Sequence, residues 1–279
     1  MDQGNRHGPG QGRAGRPDSF RRKQRRRPLA TSDYGLAKIR YPKHSGNGFF
    51  ASWLLWEDSP SREKLLAGRK GIMGVAVRVC FDGDSFVAGV GDGSHRGWAG
   101  RLIARGIERG YELTGYNLGV CGDTSTMIRQ RFEAEYAARF PPGEHAVGIV
   151  FSFGVNDVIR WSSKPRVAVG ERIANLSAIL DQARVRRWPV LMIGPPPIAD
   201  DALNEQLREL DAQMQDRCEL ADVPYLSVHE QLAGNEVWRS EVAADDGAHP
   251  RAAGYDVLAG LAEGAWDNWL RELAARLER

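Results

Sequence analysis

The chain predicts an α/β fold: a parallel sheet covered by helices on both faces. Three observations carry that reading. From Val75 onward, short apolar or β-branched runs alternate with longer amphipathic stretches, which is the signature of repeated strand–helix units. The apolar runs lack strict polar alternation, as strands buried on both faces do. Glycine-containing polar segments follow the runs, where ligands of such sheets bind.

Taken in order, the strand candidates are Val75–Phe81, Leu113–Leu118, Val147–Phe153, Val190–Ile193 and Tyr225–Val228. Helix candidates lie between them at Gly97–Arg109, Ser125–Arg139, Val167–Arg187 and Ala202–Leu220, and a closing helix spans about Arg251–Leu277. In that last helix Trp266, Trp269, Leu270, Leu273 and Leu277 recur at spacings of three and four, a core-facing stripe.

The 279 residues suit one domain with a tail, and charge divides them unevenly. Residues 1–72 hold 16 Lys and Arg against 6 Asp and Glu, whereas the remainder holds 22 against 30. The first 48 residues, with "RRKQRRR" at 21–27, show neither helical nor strand period and read as disordered. A solvated tail is favoured over nucleic-acid or membrane contact, which clustered arginines would also permit. An upstream extension is the other reading, with Met73 as the true start directly before "GVAVRVCF". The expected division is therefore 1–72 as a basic extension and 73–279 as the folded domain.

Cys80, Cys121 and Cys218 are odd in number and far apart, so buried thiols in a reducing compartment are expected rather than disulfides. The run "FFASWLLW" (Phe49–Trp56) falls well short of the roughly 20 residues of a membrane span, and no cleavage-site residues follow it. A cytoplasmic location is the expectation.

Four segments stand at strand ends or before the closing helix: Gly83-Asp84-Ser85, "NLGVCGDTS" (117–125), "FGVNDV" (153–158) and "DDGAHP" (245–250). Together they give GDS, Asn-x-x-x-x-Gly-Asp-Thr, GxND and DxxH in that order. With these four motifs the chain resembles the SGNH (GDSL-type) hydrolases over about residues 75–275. The resemblance implies a three-layer α/β/α sandwich with a five-stranded parallel sheet, flavodoxin-like in arrangement, and hydrolysis of carboxylic or thio-esters of small to medium acyl groups.

A serine hydroxyl needs a base to become a nucleophile at neutral pH. His249 suits that role best among the six histidines, because Asp246 precedes it by three residues and can reach Nδ1, leaving Nε2 for Ser85. Asp245 is an adjacent competitor; the resemblance favours Asp246. The resemblance also implies three oxyanion donors: the backbone N–H groups of Ser85 and Gly122 and the side-chain amide of Asn156. Close backbone approach is the reason expected for Gly122. Asp157 is expected to cap the segment after it, Pro250 to open the closing helix, and "GPPPIAD" (194–200) to wall the acyl pocket. "GVGDG" (89–93) reads as a flexible loop at the substrate mouth. His229 is expected at a helix start, and His95 in a polar loop.

No cofactor or metal is expected. HExxH, CxxC and close histidine pairs are absent from the sequence, as is a G-x-S-x-G elbow, and "GVGDG" (89–93) is not a GxGxxG because position 94 is serine. Two rival readings stand beside the esterase: an acyltransferase using the same site, and a non-catalytic module binding RNA or membrane through the basic tail. The expected partner is a small-molecule ester, with the oligomeric state left open.

Overall fold

A computed structural model of the protein describes residues 76–140 and 145–276. The basic segment 1–72, the Met73 question, Val75 and Leu277 lie outside the described residues, as does the side chain of His145. The elements follow in chain order: β1 (Ala76–Gly83), α1 (Ser85–Ala88), α2 (Gly97–Glu108), β2 (Glu112–Gly119), α3 (Ser125–Arg139), β3 (His145–Ser152) and α4 (Val155–Val158). A short hairpin, β4 (Arg160–Trp161) and β5 (Lys164–Pro165), precedes α5 (Val169–Val185), β6 (Val190–Ile193) and α6 (Asp201–Leu220). The chain closes with β7 (Tyr225–Leu226), α7 (His229–Ala233), α8 (Glu236–Ala243) and α9 (Ala252–Ala275).

Five strands pair in parallel in the order β2-β1-β3-β6-β7. From β1 the chain passes first to one side and then to the other, so the switch point lies between β1 and β3. β1 runs two residues beyond its apolar stretch. It is flanked on both sides, and both ladders continue to its end, with Gly83 opposite Gly119 of β2 and Ser152 of β3. Apolar pattern alone underestimates a central strand for this reason. Conversely, the fifth strand stops at Leu226, two residues earlier than its sequence suggests.

Successive side chains on β1 face opposite layers. Phe81 packs on Trp98 of α2 and Trp266 of α9, with ring centroids 5.7 and 5.4 Å apart. Asp82 faces α3 instead, where the Tyr136 hydroxyl donates to it at 2.6 Å and Arg131 at 2.7 Å. Helices α2 and α9 pack together, while α3, α5 and α6 pack in succession, giving the three layers. The expected α9 stripe of Trp266, Trp269, Leu270 and Leu273 is buried. No described helix is long and apolar enough to cross a membrane.

Several expectations are corrected by this arrangement. Cys80 and Cys218 are buried, but Cys121 is exposed on the loop after β2. Pro250 lies before the α9 N-cap, Arg251, rather than inside the first turn. The "GVGDG" loop is pinned rather than free: Asp92 accepts from Ser94 N–H (2.9 Å), Gly97 N–H (2.9 Å) and the Arg101 guanidinium, and Tyr255 of α9 donates to Val90 O at 2.7 Å.

Two carboxyls at the end of β1 are wholly enclosed. Burial pushes Asp82 up to about 6 in spite of Arg131 and Tyr136. Asp84 accepts from Phe86 N–H at 3.0 Å and so caps α1. Burial pushes it up to about 7, with Asp157 and Asp123 adding to the rise against the bonds from Phe86 and Asn156.

Two outcomes follow for stability. Arg131→Met leaves Asp82 buried without its cation and should cost about 3–5 kcal/mol in urea unfolding. Adding Asp82→Asn should recover part of that loss, since the unpaired charge is gone. Both carboxyls bind their protons more tightly folded than unfolded. Their contribution is therefore most favourable below the ordinary carboxylate range and declines as pH rises through about 6 to 7. For Asp84 the cost at pH 8 is at most roughly 4 kcal/mol. The fall in unfolding free energy between pH 5 and pH 8 should accordingly be shallower in Asp84→Asn than in the parent chain.

Candidate active site

Ser85 is the first residue of α1, two residues beyond the end of the inner strand β1, and is 5 % exposed. Its Oγ lies 2.7 Å from His249 Nε2, and His249 Nδ1 lies 2.6 Å from Asp246 Oδ2. Three side chains that the sequence separates by about 160 residues thus form one hydrogen-bonded chain. A carboxylate only accepts, so the proton between Asp246 and His249 belongs on Nδ1, which leaves Nε2 to accept from the Ser85 hydroxyl.

The loop holding His249 is organised by Asp246 itself. Asp246 Oδ1 accepts from the N–H groups of Ala248 (2.9 Å) and His249 (2.8 Å), while Oδ2 takes the ring. Partial burial acts to raise this carboxyl, but the bonds from the His249 backbone and ring and from Ala248 outweigh it and hold it at about 2. Asp245, the competing carboxylate, turns away, with Oδ2 3.8 Å from Arg251.

Two further contacts seat the imidazole. The Phe86 ring lies 4.9 Å from it, centroid to centroid. The 89–93 loop also runs close to the His249 backbone: a Cβ placed on Gly91 would come within 2.4 Å of Pro250 O and 3.5 Å of His249 Cβ. Only a glycine permits that approach.

Asn156 lies in α4, just after β3, and is buried. Its Nδ2 donates to Asp84 Oδ2 at 3.4 Å and its Oδ1 accepts from Arg166 at 3.1 Å. Gly122 lies on the loop after β2, and Val120 N–H ties that loop to Gly83 O at 3.0 Å. Gly122 has φ +82, a backbone conformation that favours glycine, and no protein atom lies within 4 Å of a Cβ placed there. Among the described residues neither Ser85 N–H nor Gly122 N–H donates to another protein group.

Asp157 has a different place from the one its sequence suggested. Its Oδ1 accepts from Ser125 N–H at 2.8 Å, satisfying the start of α3, an earlier element, rather than capping the segment after it. The "GPPPIAD" segment does reach the site loop, since Ala199 N–H donates to Gly247 O at 2.8 Å. His229 opens α7 as expected but is fully buried, and His95 sits in the 89–96 loop.

Sequence reasoning missed Arg131 and Arg166. Arg131 could have been found, because an aspartate inside a central strand asks for a buried partner. Arg166 had no such signal. A groove of about 1240 Å³, lined in part by Pro189, Pro224 and Trp269, opens at the amino ends of β6 and β7, at the opposite edge of the sheet from Ser85. The chemistry-bearing residues lie elsewhere.

Comparison with known proteins follows this geometry. No curated protein matches the chain in sequence. Among solved structures, a catalytic mutant of Axe2, an acetylxylan esterase from Geobacillus stearothermophilus, superposes with a TM-score of 0.56 at 19 % identity, covering 72 % of this chain and 95 % of its own. TesA gives 0.57 at 22 %, covering 69 % and 99 %. A lipase/acylhydrolase from Enterococcus faecalis gives 0.54 at 22 %, covering 67 % and 96 %. At these identities the likeness establishes the shared α/β sandwich. The family is established separately, by the match of residues 81–257 to the GDSL-like Lipase/Acylhydrolase family, which spans more than half of the sequence. The chain therefore belongs to the GDSL-like lipase/acylhydrolase family and is an ester-bond hydrolase.

Proposed function

We propose that this hydrolase is a serine esterase working through an acyl-enzyme on Ser85. Ser85 Oγ attacks the acyl carbonyl as its proton passes to His249 Nε2. Asp246 holds the Nδ1 proton and balances the imidazolium. The tetrahedral oxyanion takes hydrogen bonds from the backbone N–H groups of Ser85 and Gly122 and from the Asn156 amide, each typically worth about 2.7–4 kcal/mol in the transition state. His249 then returns its proton to the departing alcohol or thiol. Water, deprotonated by His249, attacks the acyl carbon, and Ser85 leaves with the free acid formed.

The observation that carries this reading is the unbroken chain Asp246 Oδ2–His249 Nδ1, His249 Nε2–Ser85 Oγ, at 2.6 and 2.7 Å. The uncommitted N–H groups of Ser85 and Gly122 support the donor assignment. With its carboxyl held at about 2, Asp246 stays ionised at any pH above the ordinary carboxylate range. Esters and thioesters of small to medium acyl groups are the proposed substrates, acetylated sugars among them. The "GPPPIAD" segment forms a wall of the acyl site.

Hydrolysis of p-nitrophenyl esters of graded acyl length tests this. Ser85→Ala should lower kcat/KM by about 10⁴-fold or more; a rate equal to the parent's would remove Ser85 as nucleophile. Asp246→Ala should fall by roughly 10²–10⁴-fold, with the ring left unanchored. Rapid acid quenching during turnover should find the acyl mass on the peptide containing Ser85. A competing alcohol should divert little product to a new ester; dominant transfer would make the chain an acyltransferase.

A further inference from the structure

Asn156 is held between a carboxyl and a guanidinium. Its Nδ2 faces the Asp84 carboxyl at 3.4 Å, and its Oδ1 takes a hydrogen bond from Arg166 Nη1 at 3.1 Å. Turning the amide over would set its oxygen against the carboxyl and its NH₂ against the guanidinium. A guanidinium only donates, so Arg166 fixes one orientation, with Oδ1 on its own side and Nδ2 on the Asp84 side.

Arg166 reaches this position by way of the β4–β5 hairpin. The chain leaves α4 at Val158, turns at Ser162, which has φ 60, and returns ten residues beyond Asn156. Two backbone bonds close the return: Arg166 N–H to Ile159 O (2.9 Å) and Val167 N–H to Asp157 O (3.3 Å). Trp161, 74 % exposed, places its ring 5.1 Å from the guanidinium carbon, a cation–π contact that restrains the side chain. Among the described residues no carboxylate forms an ion pair with Arg166; its hydrogen bond is spent on the Asn156 oxygen. No core packing requires so exposed a hairpin. The hairpin places a cation on the carbonyl end of a site amide.

We infer that Arg166 is a positioning residue for oxyanion stabilisation, acting through Asn156. This rests on the proposal that Asn156 is an oxyanion donor. The charged donor on Oδ1 fixes the amide plane and draws electron density from the nitrogen. The Nδ2 hydrogen not directed at Asp84 then becomes a stronger, preorganised donor to the developing oxyanion. Charge on the oxyanion grows only as the transition state forms, so the benefit falls on kcat rather than on ground-state binding.

The test compares the parent with Arg166→Met, Arg166→Gln, Asn156→Ala and the double variant Asn156→Ala/Arg166→Met, on a neutral p-nitrophenyl ester and on one with a carboxylate in its acyl chain. Arg166→Met should lower kcat about ten-fold on both esters, less than the loss of a whole oxyanion donor, with KM within about two-fold. Arg166→Gln, which keeps an N–H for the Asn156 oxygen, should recover part of the rate; it also serves if the Met variant folds poorly. In the Asn156→Ala background the Arg166 substitution should cost nothing further. Unchanged kcat in Arg166→Met, or an additive loss in the double variant, overturns the inference. So does a KM effect confined to the anionic ester, which would make Arg166 a substrate-binding cation. If Asn156→Ala is slow while Arg166→Met is normal, only this inference fails. If Asn156→Ala itself retains the parent kcat, the donor assignment falls and this inference with it.

Discussion

The active-site end of the sheet depends on one guanidinium. Arg131, in the middle of α3, donates to Asp82 (2.7 Å) and Gly83 O (3.1 Å) at the end of β1, to Asp123 (2.6 Å) beyond β2, and to Glu135 on its own helix (3.0 Å). It therefore joins the two backbone segments that carry Ser85 and Gly122. Its planar fork serves several acceptors at once, which a lysine ammonium on a single stem matches poorly. Burial of Asp82 opposes folding, and a buried ion pair is weak evidence of stability. What the pair supplies here is a fixed spacing between strand end and loop.

The histidine side of the site is held from the opposite layer. Helices α2 and α9 clamp the 89–96 loop through Asp92, Arg101 and the Tyr255–Val90 bond, and that loop presses against Pro250 and His249 at Gly91. Arg101 also pairs with Asp256 of α9. Helix α1, which carries Ser85 and the buried Phe86, packs against β1, β2 and α2. The switch point between β1 and β3 brings together the segments that follow these two strands, one carrying Ser85 and the other Asn156.

Much of the fold was legible because burial on both faces leaves an apolar record in inner strands such as β1 and β6. Ser125–Arg139 matches its helix to the residue, and the other long helices differ by one or two residues at their described ends. The short elements α1, α4, α7 and the β4–β5 hairpin left no such record. A single helical turn or a two-residue strand has no periodicity, and tertiary bonds hold it in place. The site was legible as four motifs, each a polar, glycine-bearing segment at a strand end or before the last helix. The supporting residues were not, since Arg131, Arg166 and Phe86 act through contacts between elements.

By itself the sequence determined the α/β class, the strand order along the chain, and the candidates Ser85, Gly122, Asn156, Asp246 and His249. The class and strand order follow from period and turn residues, and His249 from the aspartate three residues before it. Gly122, Asn156 and the preference for Asp246 over Asp245 come from the resemblance that the four motifs carry. Tertiary structure alone decided which carboxylate meets the imidazole, since Asp245 and Asp246 are adjacent and only the loop's fold turns one toward His249 and the other toward Arg251. It also decided that Asp157 serves the start of α3 and that Asn156 lies between Asp84 and Arg166. Those outcomes depend on long-range packing, which brings together groups tens of residues apart and has no counterpart in the order of residues along the chain.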